Sequence, residues 1–237
     1  QAVKGGDNGD YHLLTYAPSS VQEAVDIMMF AYDKAEQYRI PVLFIADGII
    51  AQMMEPVEMP EMVEFKIDPE KKPWACTGWK PGDDPEKRGV INSIYIDTES
   101  LSEHNAVLQA MYAEVAKNEK MWENYNCEGA EYIITAFGTV ARIAKSAIDQ
   151  LKAEGINVGL VRPITVWPFP YEAVAEAANA DGVKAVLDVE LNEGQMIEDV
   201  KIAVNGAKPI DFFGHCGSQM PTTDEIVAKI KSMKEGK

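Results

Sequence analysis

The chain has 237 residues, 46% of them hydrophobic, which is enough to form a buried core in one large domain or in two domains of moderate size. Its net charge of −16 at pH 7 would repel a phosphate backbone, so we expect no nucleic-acid binding. The sequence contains no run of about 18 apolar residues and no signal-peptide pattern, so we expect no membrane span.

The cysteines and histidines do not form a recognisable metal-binding pattern. Cys76, Cys127 and Cys216 are far apart and form no Cys-x-x-Cys motif, so we expect this chain alone to hold no iron–sulfur cluster and no zinc. An odd number of cysteines in an acidic protein of this size indicates reduced thiols and a cytoplasmic location. The histidines that also lack metal-ligand spacing are His12, His104 and His215.

Residues 1–60 are predicted to form an α/β region. A strand is expected at His12–Ala17, followed by a helix in which Ser20 is the N-cap and Glu23 completes a capping box. The continuous apolar run Val42–Ala46 predicts a strand of a parallel sheet that is covered on both faces. The helix positions expected to share one buried face are Ala24, Ile27, Met28, Ala31, Tyr32 and Ala35.

Residues 61–127 are predicted to form a linker arm and one long helix. The proline-rich segment up to Gly89 disfavours regular structure and indicates an arm over the surface, anchored by Trp74 and Trp79; a contact with a partner is the alternative. The helix is expected to run from Ser100 to Tyr125 and to pack on the body of the protein or on another subunit. Ser100 with Glu103 is its candidate capping box.

Residues 128–237 are predicted to form a second α/β domain, because apolar strand-like runs alternate strictly with amphipathic helices. This alternation predicts a parallel sheet with helices on both faces. The expected strands are residues 132–137, 158–161, 185–189 and 209–213, and the expected helices begin near residues 138, 171, 196 and 223.

Three glycine-containing segments are candidate binding loops. Gly5-Gly6-x-x-Gly9 is a weak phosphate-loop candidate. Gly138-Thr139 follows a strand and opens a helix, and an anion can bind at such a helix N-terminus. An ordinary strand–helix turn is the alternative there. The loop Gly214–Thr222 follows the last strand, at the sheet edge where α/β folds bind ligands. Its His215 and Cys216 are adjacent in sequence, which disfavours a nucleophile–base pair.

The stretch Asp188–Asp199 is the most distinctive part of the sequence, because a strand ends in Glu-x-Asn-x-Gly-Gln and turns into a helix. Asn192 and Gly194 suit a tight turn. Glu190 and Glu193 lie at the carboxyl end of the strand, where one of them could titrate abnormally if buried. The alternative is that their hydrogen bonds fix the turn.

This turn, together with the segment Arg162–Pro170, resembles the alpha subunit of the 2-oxoacid:ferredoxin oxidoreductases, and most closely the branched-chain (2-oxoisovalerate) type. The further segments that carry the resemblance are residues 5–11, 17–23, 46–48, 52–58 and 141–147. The resemblance implies that residues 1–60 are the C-terminal part of a thiamine pyrimidine-binding domain. It also implies that residues 128–237 form a transketolase C-terminal-like domain.

The resemblance further implies an activity of anaerobic metabolism, in which a 2-oxoacid is oxidatively decarboxylated to acyl-coenzyme A and electrons pass to ferredoxin. It implies thiamine diphosphate and magnesium at the interface with a beta subunit. Iron–sulfur clusters are expected on partner chains, which would be the beta, gamma and ferredoxin-like subunits. The decarboxylation and the electron transfer would be carried out by the thiamine diphosphate and the iron–sulfur clusters.

No catalytic or cofactor-binding residue is assigned within this chain. By the resemblance, the glutamate that activates the aminopyrimidine ring lies upstream of Gln1, so we expect a chain that lacks its N-terminal portion and is inactive alone. Two alternatives remain at this point: a non-catalytic assembly or partner-binding fragment, and a component of a transketolase-like transferase.

Overall fold

A computed structural model describes residues 3–4, 10–61, 72, 74–76, 78–217 and 219–236. The chain divides into two compact units: Met59–Ala110 is one, and Gln1–Glu58 with Met111–Lys237 is the other. The candidate loop Gly5–Gly9 lies outside the described residues. Among the described residues, no helix has the combination of length and apolarity that crossing a membrane would need.

Eight strands and seven α-helices make up the regular structure of the described residues. The strands are β1 (Leu14–Tyr16), β2 (Val42–Phe44), β3 (Trp122–Tyr125), β4 (Tyr132–Thr135), β5 (Val158–Pro163), β6 (Thr165–Trp167), β7 (Ala185–Glu190) and β8 (Ile210–Gly214). The helices are α1 (Val21–Tyr38), α2 (Gly48–Gln52), α3 (Thr98–Asn118), α4 (Gly138–Ala153), α5 (Tyr171–Asn179), α6 (Ile197–Val204) and α7 (Thr223–Glu235).

The larger sheet has the strand order β3-β5-β4-β7-β8. Strands β5, β4, β7 and β8 are parallel, and β3 is an antiparallel edge strand. One apolar cluster lies between this sheet and helices α4 and α7, and a second lies between the sheet and helices α5 and α6. The predicted parallel sheet with helices on both faces is therefore confirmed, and each large aliphatic side chain buried in it contributes about 1.5–3 kcal/mol.

The smaller sheet has the order β2-β1-β6, in which β1 is parallel to β2 and antiparallel to β6. The sequence did not indicate β6, because a strand of three residues gives no periodicity of its own. Strand β2 is at the edge of this sheet and its residues stay partly exposed. The prediction that this strand is covered on both faces is therefore wrong for the described part of the chain.

Helix α1 begins as predicted, with the Ser20 side chain accepting a hydrogen bond from the Glu23 amide. The Glu23 carboxylate, however, accepts from the Ser19 amide at 2.7 Å, so the predicted capping box is not closed at Ser20. The expected buried face is also partly wrong: Met28 and Tyr32 are 39% and 71% exposed. These two side chains point away from the sheet because the helix packs through another face.

The predicted helix over Ser100–Tyr125 has different ends in the structure. Helix α3 begins at Thr98, and the carboxylate of Asp97 accepts from the Ser100 amide at 2.8 Å, so Asp97 occupies the capping role assigned to Ser100. The helix ends at Asn118, because the next residues pair with the chain around β6. The carbonyl of Met121 accepts from the Thr165 amide at 3.0 Å, and β3 then pairs with β5.

The unit Met59–Ala110 contains little regular structure in its described residues before α3. A single 3-10 turn spans Pro85–Lys87. The Trp79 indole donates to the Asp84 carbonyl at 3.0 Å, and the Arg88 guanidinium lies 5.0 Å from the Trp79 ring centre. The contacts of Trp79 shown here are with residues of its own unit. The arm over the surface stays a prediction, and so do the domain boundaries at residues 60 and 127.

Candidate functional site

The order of the strands identifies one place where the larger sheet can form a crevice. After β4 the chain passes through α4 to β5 on one side, and it later returns through α5 to β7 on the other side of β4. The carboxyl ends of β4 and β7 are thus a topological switch point, where open α/β sheets bind ligands. A cavity of about 180 Å³ lies there, and we call it the switch-point crevice. It is lined by Ile45–Asp47, Phe137–Gly138, Val140 and Val189–Asn192.

The carboxylate of Asp47 closes one side of the switch-point crevice. One oxygen accepts from the amides of Ile49 and Ile50 at 2.9 and 3.0 Å, and the other accepts from the Thr139 amide at 3.3 Å. Burial would raise the pKa of Asp47, but the hydrogen bonds from Thr139, Ile50 and Ile49 outweigh it and hold the pKa below its ordinary value. The N-termini of α2 and α4 therefore share one internal carboxylate.

This arrangement answers the prediction of an anion site at Gly138-Thr139. Gly138 has φ 58°, a backbone conformation that favours glycine, and a Cβ there would lie 3.6 Å from the Asp47 carboxylate. The helix N-terminus does bind an anion, but the anion belongs to this chain. Asp47 lies in the segment 46–48 that carries the family resemblance, but the sequence did not indicate it as a capping residue, although Asp-Gly after an apolar strand is a recognisable cap signal.

The buried carboxylate of Glu190 closes the other side of the crevice. It accepts four hydrogen bonds of 2.9–3.0 Å, three of them from amides that open α6. The donors are Asn192 Nδ2 and the backbone amides of Gln195, Met196 and Ile197. Glu190 therefore fixes the turn, which is the alternative that the sequence left open.

Asp188, two residues before Glu190 on β7, is the abnormal titrating group of this region. It is fully buried, and the Thr135 hydroxyl donates to it at 2.6 Å. Burial and the neighbouring Glu190 carboxylate raise the pKa of Asp188 to about 9, so this carboxyl is protonated at neutral pH. The sequence indicates Glu190 and Glu193 as candidates for abnormal titration, which stays a prediction, and it did not indicate Asp188. An acidic residue inside the apolar run Val186–Val189 was the available signal.

Two charged clusters connect residues 17–58 to the α/β region that begins at β4. Arg162, only 3% exposed, donates two hydrogen bonds of 2.7–2.8 Å to Glu23 and one of 2.8 Å to Glu123. Burial would raise the pKa of Glu23, but Arg162 and Ser19 outweigh it and lower the pKa. The cluster ties α1 to β5 and β3, as a bidentate arginine does well.

The second cluster is formed by Arg142 of α4 and Glu55. Their side chains form an ion pair at 2.7 Å, and Glu55 also accepts from the Val21 amide at 3.0 Å. Arg142 donates to the Ser19 carbonyl at 3.4 Å. The segments 17–23, 52–58 and 141–147, which the sequence resemblance singled out separately, thus contact one another.

The loop Gly214–Thr222 follows β8, which is the edge strand of the sheet and is not at the switch point. His215 lies 3.4 Å from the Glu225 carboxylate, and Cys216 is exposed. A hydrogen bond from the thiol to Glu193 raises the pKa of Cys216, so the thiolate is disfavoured. Ser218 of this loop lies outside the described residues.

Cys127 and His12 each contact other side chains or backbone of their own unit. Cys127 is half-buried and donates to the Leu160 carbonyl at 3.3 Å, and burial raises its pKa. His12 stacks on Trp167 with ring centres 4.7 Å apart. Within the residues that the structure covers, no three His, Cys, Asp or Glu side chains form a group that could hold a metal ion.

Comparison with known families places the chain. A model of the thiamine diphosphate-binding domain of pyruvate flavodoxin/ferredoxin oxidoreductase matches residues 2–124, and a model of core domain II of pyruvate:ferredoxin oxidoreductase matches residues 130–226. The chain belongs to the pyruvate flavodoxin/ferredoxin oxidoreductase family. The resemblance seen in the sequence is thereby confirmed.

Individual relatives agree with this family. The chain is 39% identical over 234 residues to ketoisovalerate oxidoreductase subunit VorB of Methanothermobacter marburgensis, covering 98% of this chain and 64% of that relative. It is 30% identical over 240 residues to 2-oxoglutarate synthase subunit KorA of Methanocaldococcus jannaschii, covering 93% of this chain and 64% of that relative. The chain therefore spans somewhat less than two thirds of the length of these curated relatives.

A solved structure supports the α/β fold. The 2-oxoglutarate:ferredoxin oxidoreductase from Magnetococcus marinus, with 2-oxoglutarate, coenzyme A and succinyl-CoA bound, superposes with a TM-score of 0.71 at 20% sequence identity. The match covers 98% of this chain and 44% of that chain. At this level of identity the likeness concerns the fold.

Proposed function

We propose that this chain is part of the alpha subunit of a thiamine-diphosphate-dependent 2-oxoacid:ferredoxin oxidoreductase. The complex would oxidatively decarboxylate a 2-oxoacid, transfer the acyl group to coenzyme A and pass the electrons to ferredoxin. The observation that carries this proposal is the succession of two oxidoreductase family models over residues 2–124 and 130–226. The division into a thiamine pyrimidine-binding part over residues 1–60, a linking segment over 61–127 and a transketolase C-terminal-like domain over 128–237 is part of the proposal; the two models meet between residues 124 and 130, near the last of these boundaries.

The switch-point crevice does not fit thiamine diphosphate. The switch-point crevice holds about 180 Å³, less than the few hundred cubic ångströms usual for a cofactor pocket. The helix amides at the crevice that could bind a diphosphate already donate to Asp47 and Glu190. No reaction step is therefore assigned to these residues.

Thiamine diphosphate and magnesium are accordingly proposed at an interface with a beta subunit, and the iron–sulfur clusters on partner chains. The cysteine spacing supports the second part, because Cys76, Cys127 and Cys216 are far apart in the sequence and form no Cys-x-x-Cys motif. The gamma and ferredoxin-like subunits and ferredoxin itself complete the proposed partners, in the cytoplasm. Within the assembly, this chain would hold its thiamine-binding region against the second α/β domain through the Glu23–Arg162 and Glu55–Arg142 ion pairs.

We propose a branched-chain 2-oxoacid as the substrate. Identity is 39% to the ketoisovalerate oxidoreductase subunit, against 30% to a 2-oxoglutarate synthase subunit and 28% to the pyruvate synthase subunit of Pyrococcus furiosus. The experiment is to purify the full-length native gene product anaerobically with its partners. The complex is then assayed for methyl viologen reduction with coenzyme A and a panel of 2-oxoacids.

Viologen reduction that is fastest with 2-oxoisovalerate is the expected result, and faster reduction with pyruvate or 2-oxoglutarate would overturn the substrate. A gene product that purifies alone and is inactive with every 2-oxoacid would overturn the oxidoreductase proposal in favour of a partner-binding fragment. Iron–sulfur absorbance in the active complex is also expected, because an oxidoreductase passes electrons to ferredoxin through such clusters. A transketolase-like transferase would need no electron carrier and would show no such absorbance.

A further inference from the structure

Helix α1 carries apolar side chains on a face that the described structure leaves uncovered. Val25, Met28, Met29 and Tyr32 follow the spacing i, i+3, i+4, i+7, which places them on one stripe of the helix. Met28, Met29 and Tyr32 are 39%, 48% and 71% exposed. The residues that α1 does bury are Ile27, Ala31 and Tyr38. A helix that is apolar on more than one face is normally covered on each of them.

Carboxylates border this stripe. Asp26 and Asp33 are both exposed, and they are three residues before and four residues after Met29, so they lie beside it on the helix surface. Asp26 accepts a hydrogen bond of 2.8 Å from the Gln22 side chain, which is a neutral partner. The border of the stripe is therefore negative along this edge.

The negative border argues against a second copy of this chain as the occupant. Two copies that met through this face about a twofold axis would bring Asp26 and Asp33 of one copy near the same residues of the other. Such a juxtaposition of like charges opposes association. The net charge of −16 for the chain adds to this repulsion at longer range.

We infer that the outer face of α1, formed by Val25, Met28, Met29 and Tyr32, is a docking surface for another subunit that presents an apolar groove bordered by lysine or arginine side chains. The spacing is that of a helix laid into a groove, and α1 is about 27 Å long. Methionine side chains adapt to an irregular groove, and a tyrosine contributes a large contact area. The inference rests on the proposed function only for where the partner is sought, namely among the subunits of the same complex.

Methionine oxidation tests whether a partner covers this face. The full-length chain, alone and in its purified complex, is treated with limiting hydrogen peroxide, and sulfoxide at Met28 and Met29 is followed by mass spectrometry. We expect several-fold slower oxidation of both residues in the complex than in the isolated chain. Met196, which is 4% exposed, is the control that should react slowly in both samples.

Equal oxidation rates in the two samples would overturn the inference, even if the complex reduces viologen with a 2-oxoacid, which would leave the proposed function standing. Slow oxidation in the isolated full-length chain would also overturn it, because the remainder of the same chain would then cover the face. Protection in a complex that is inactive with every 2-oxoacid would support the docking surface and contradict the proposed function.

A second experiment tests the basic border. The double variant Asp26→Lys with Asp33→Lys is expected to bind its partner subunits at least about tenfold more weakly than the unmodified chain. The double variant Asp26→Asn with Asp33→Asn should lose less affinity than the lysine variant. Added salt should narrow this difference, because exposed charges are screened. Ile202→Ala, at a 63% exposed apolar position on α6, is the control expected to bind normally. Unchanged or tighter binding of the lysine variant would overturn the inference.

Discussion

Replacing Asp188 with asparagine should remove a pH dependence from the stability of the chain. Asp188 is fully buried against Thr135 and Glu190, and its pKa is raised from 3.8 to about 9. Between these two values the folded chain binds one proton more than the unfolded chain. The contribution of Asp188 is therefore intact below pH 3.8 and is lost as the pH rises through about 9.

The size of the effect follows from this difference of one proton. The free energy of unfolding should fall by about 1.4 kcal/mol for each pH unit in this window. Asparagine keeps the shape of the protonated carboxyl, can accept from Thr135 and can donate to Glu190. Across two pH units the Asp188→Asn variant should therefore gain about 2.7 kcal/mol relative to the unmodified chain.

The measurement is urea unfolding of the full chain followed by circular dichroism at a series of pH values from about 6 to 8. Asp181→Asn, at an exposed position before β7, is the matched control and should follow the unmodified chain. Parallel pH profiles for Asp188→Asn and the unmodified chain would refute the reasoning. They would mean that Asp188 is ionised in the folded protein.

Three further predictions concern the Asp47 cap, the Arg162 cluster and the thiol of Cys127. Asp47→Ala should lower the free energy of unfolding by about 1–2 kcal/mol, because the N-termini of α2 and α4 lose a shared cap. Asp47→Asn should lower it less. Thermal unfolding measures both variants, and equal values for the two would contradict the shared cap. Arg162→Met should lower the free energy of unfolding by about 1–3 kcal/mol in urea unfolding, because it removes three charged hydrogen bonds and leaves the partly buried Glu23 without its cation. Adding Glu23→Gln should restore part of that loss, and simple additivity of the two changes would argue against the pairing. Cys127 should react with iodoacetamide at neutral pH more slowly than the exposed Cys76, and it should become reactive on unfolding. Peptide mass spectrometry measures both rates. Comparable rates for the two cysteines in the folded chain would contradict the burial of Cys127.

The elements of the second α/β region could be predicted because each has a local signal. Apolar runs mark β4, β5, β7 and β8, and amphipathic periodicity marks the helices between them. The β3 strand could not be predicted, because Trp122–Tyr125 continues the pattern of the preceding helix. Its conformation depends on pairing with β5, more than 30 residues further along the chain. Tertiary pairing here overrides local propensity.

The candidate site was only partly predictable for a related reason. Local geometry predicted a tight turn after β7 and a helix N-terminus at Gly138, and both are present. Which group occupies that N-terminus depends on Asp47, which lies 92 residues away in sequence. The protonation of Asp188 likewise depends on Thr135 of a neighbouring strand. Such long-range polar contacts leave no periodic trace in the sequence.

The segments that identified the family have a shared structural role. Glu23 and Arg162 come from two of these segments and form an ion pair in which Arg162 is buried, and Glu55 and Arg142 come from two others and form a second ion pair. These side chains join residues 17–58 to the α/β region that begins at β4, and none of them lines the switch-point crevice. It follows that substituting Glu55 with glutamine should loosen this packing, measured as a lower unfolding temperature, while the order of preference among 2-oxoacids in the complete complex stays unchanged. A changed order of preference would mean that this ion pair also shapes the substrate site.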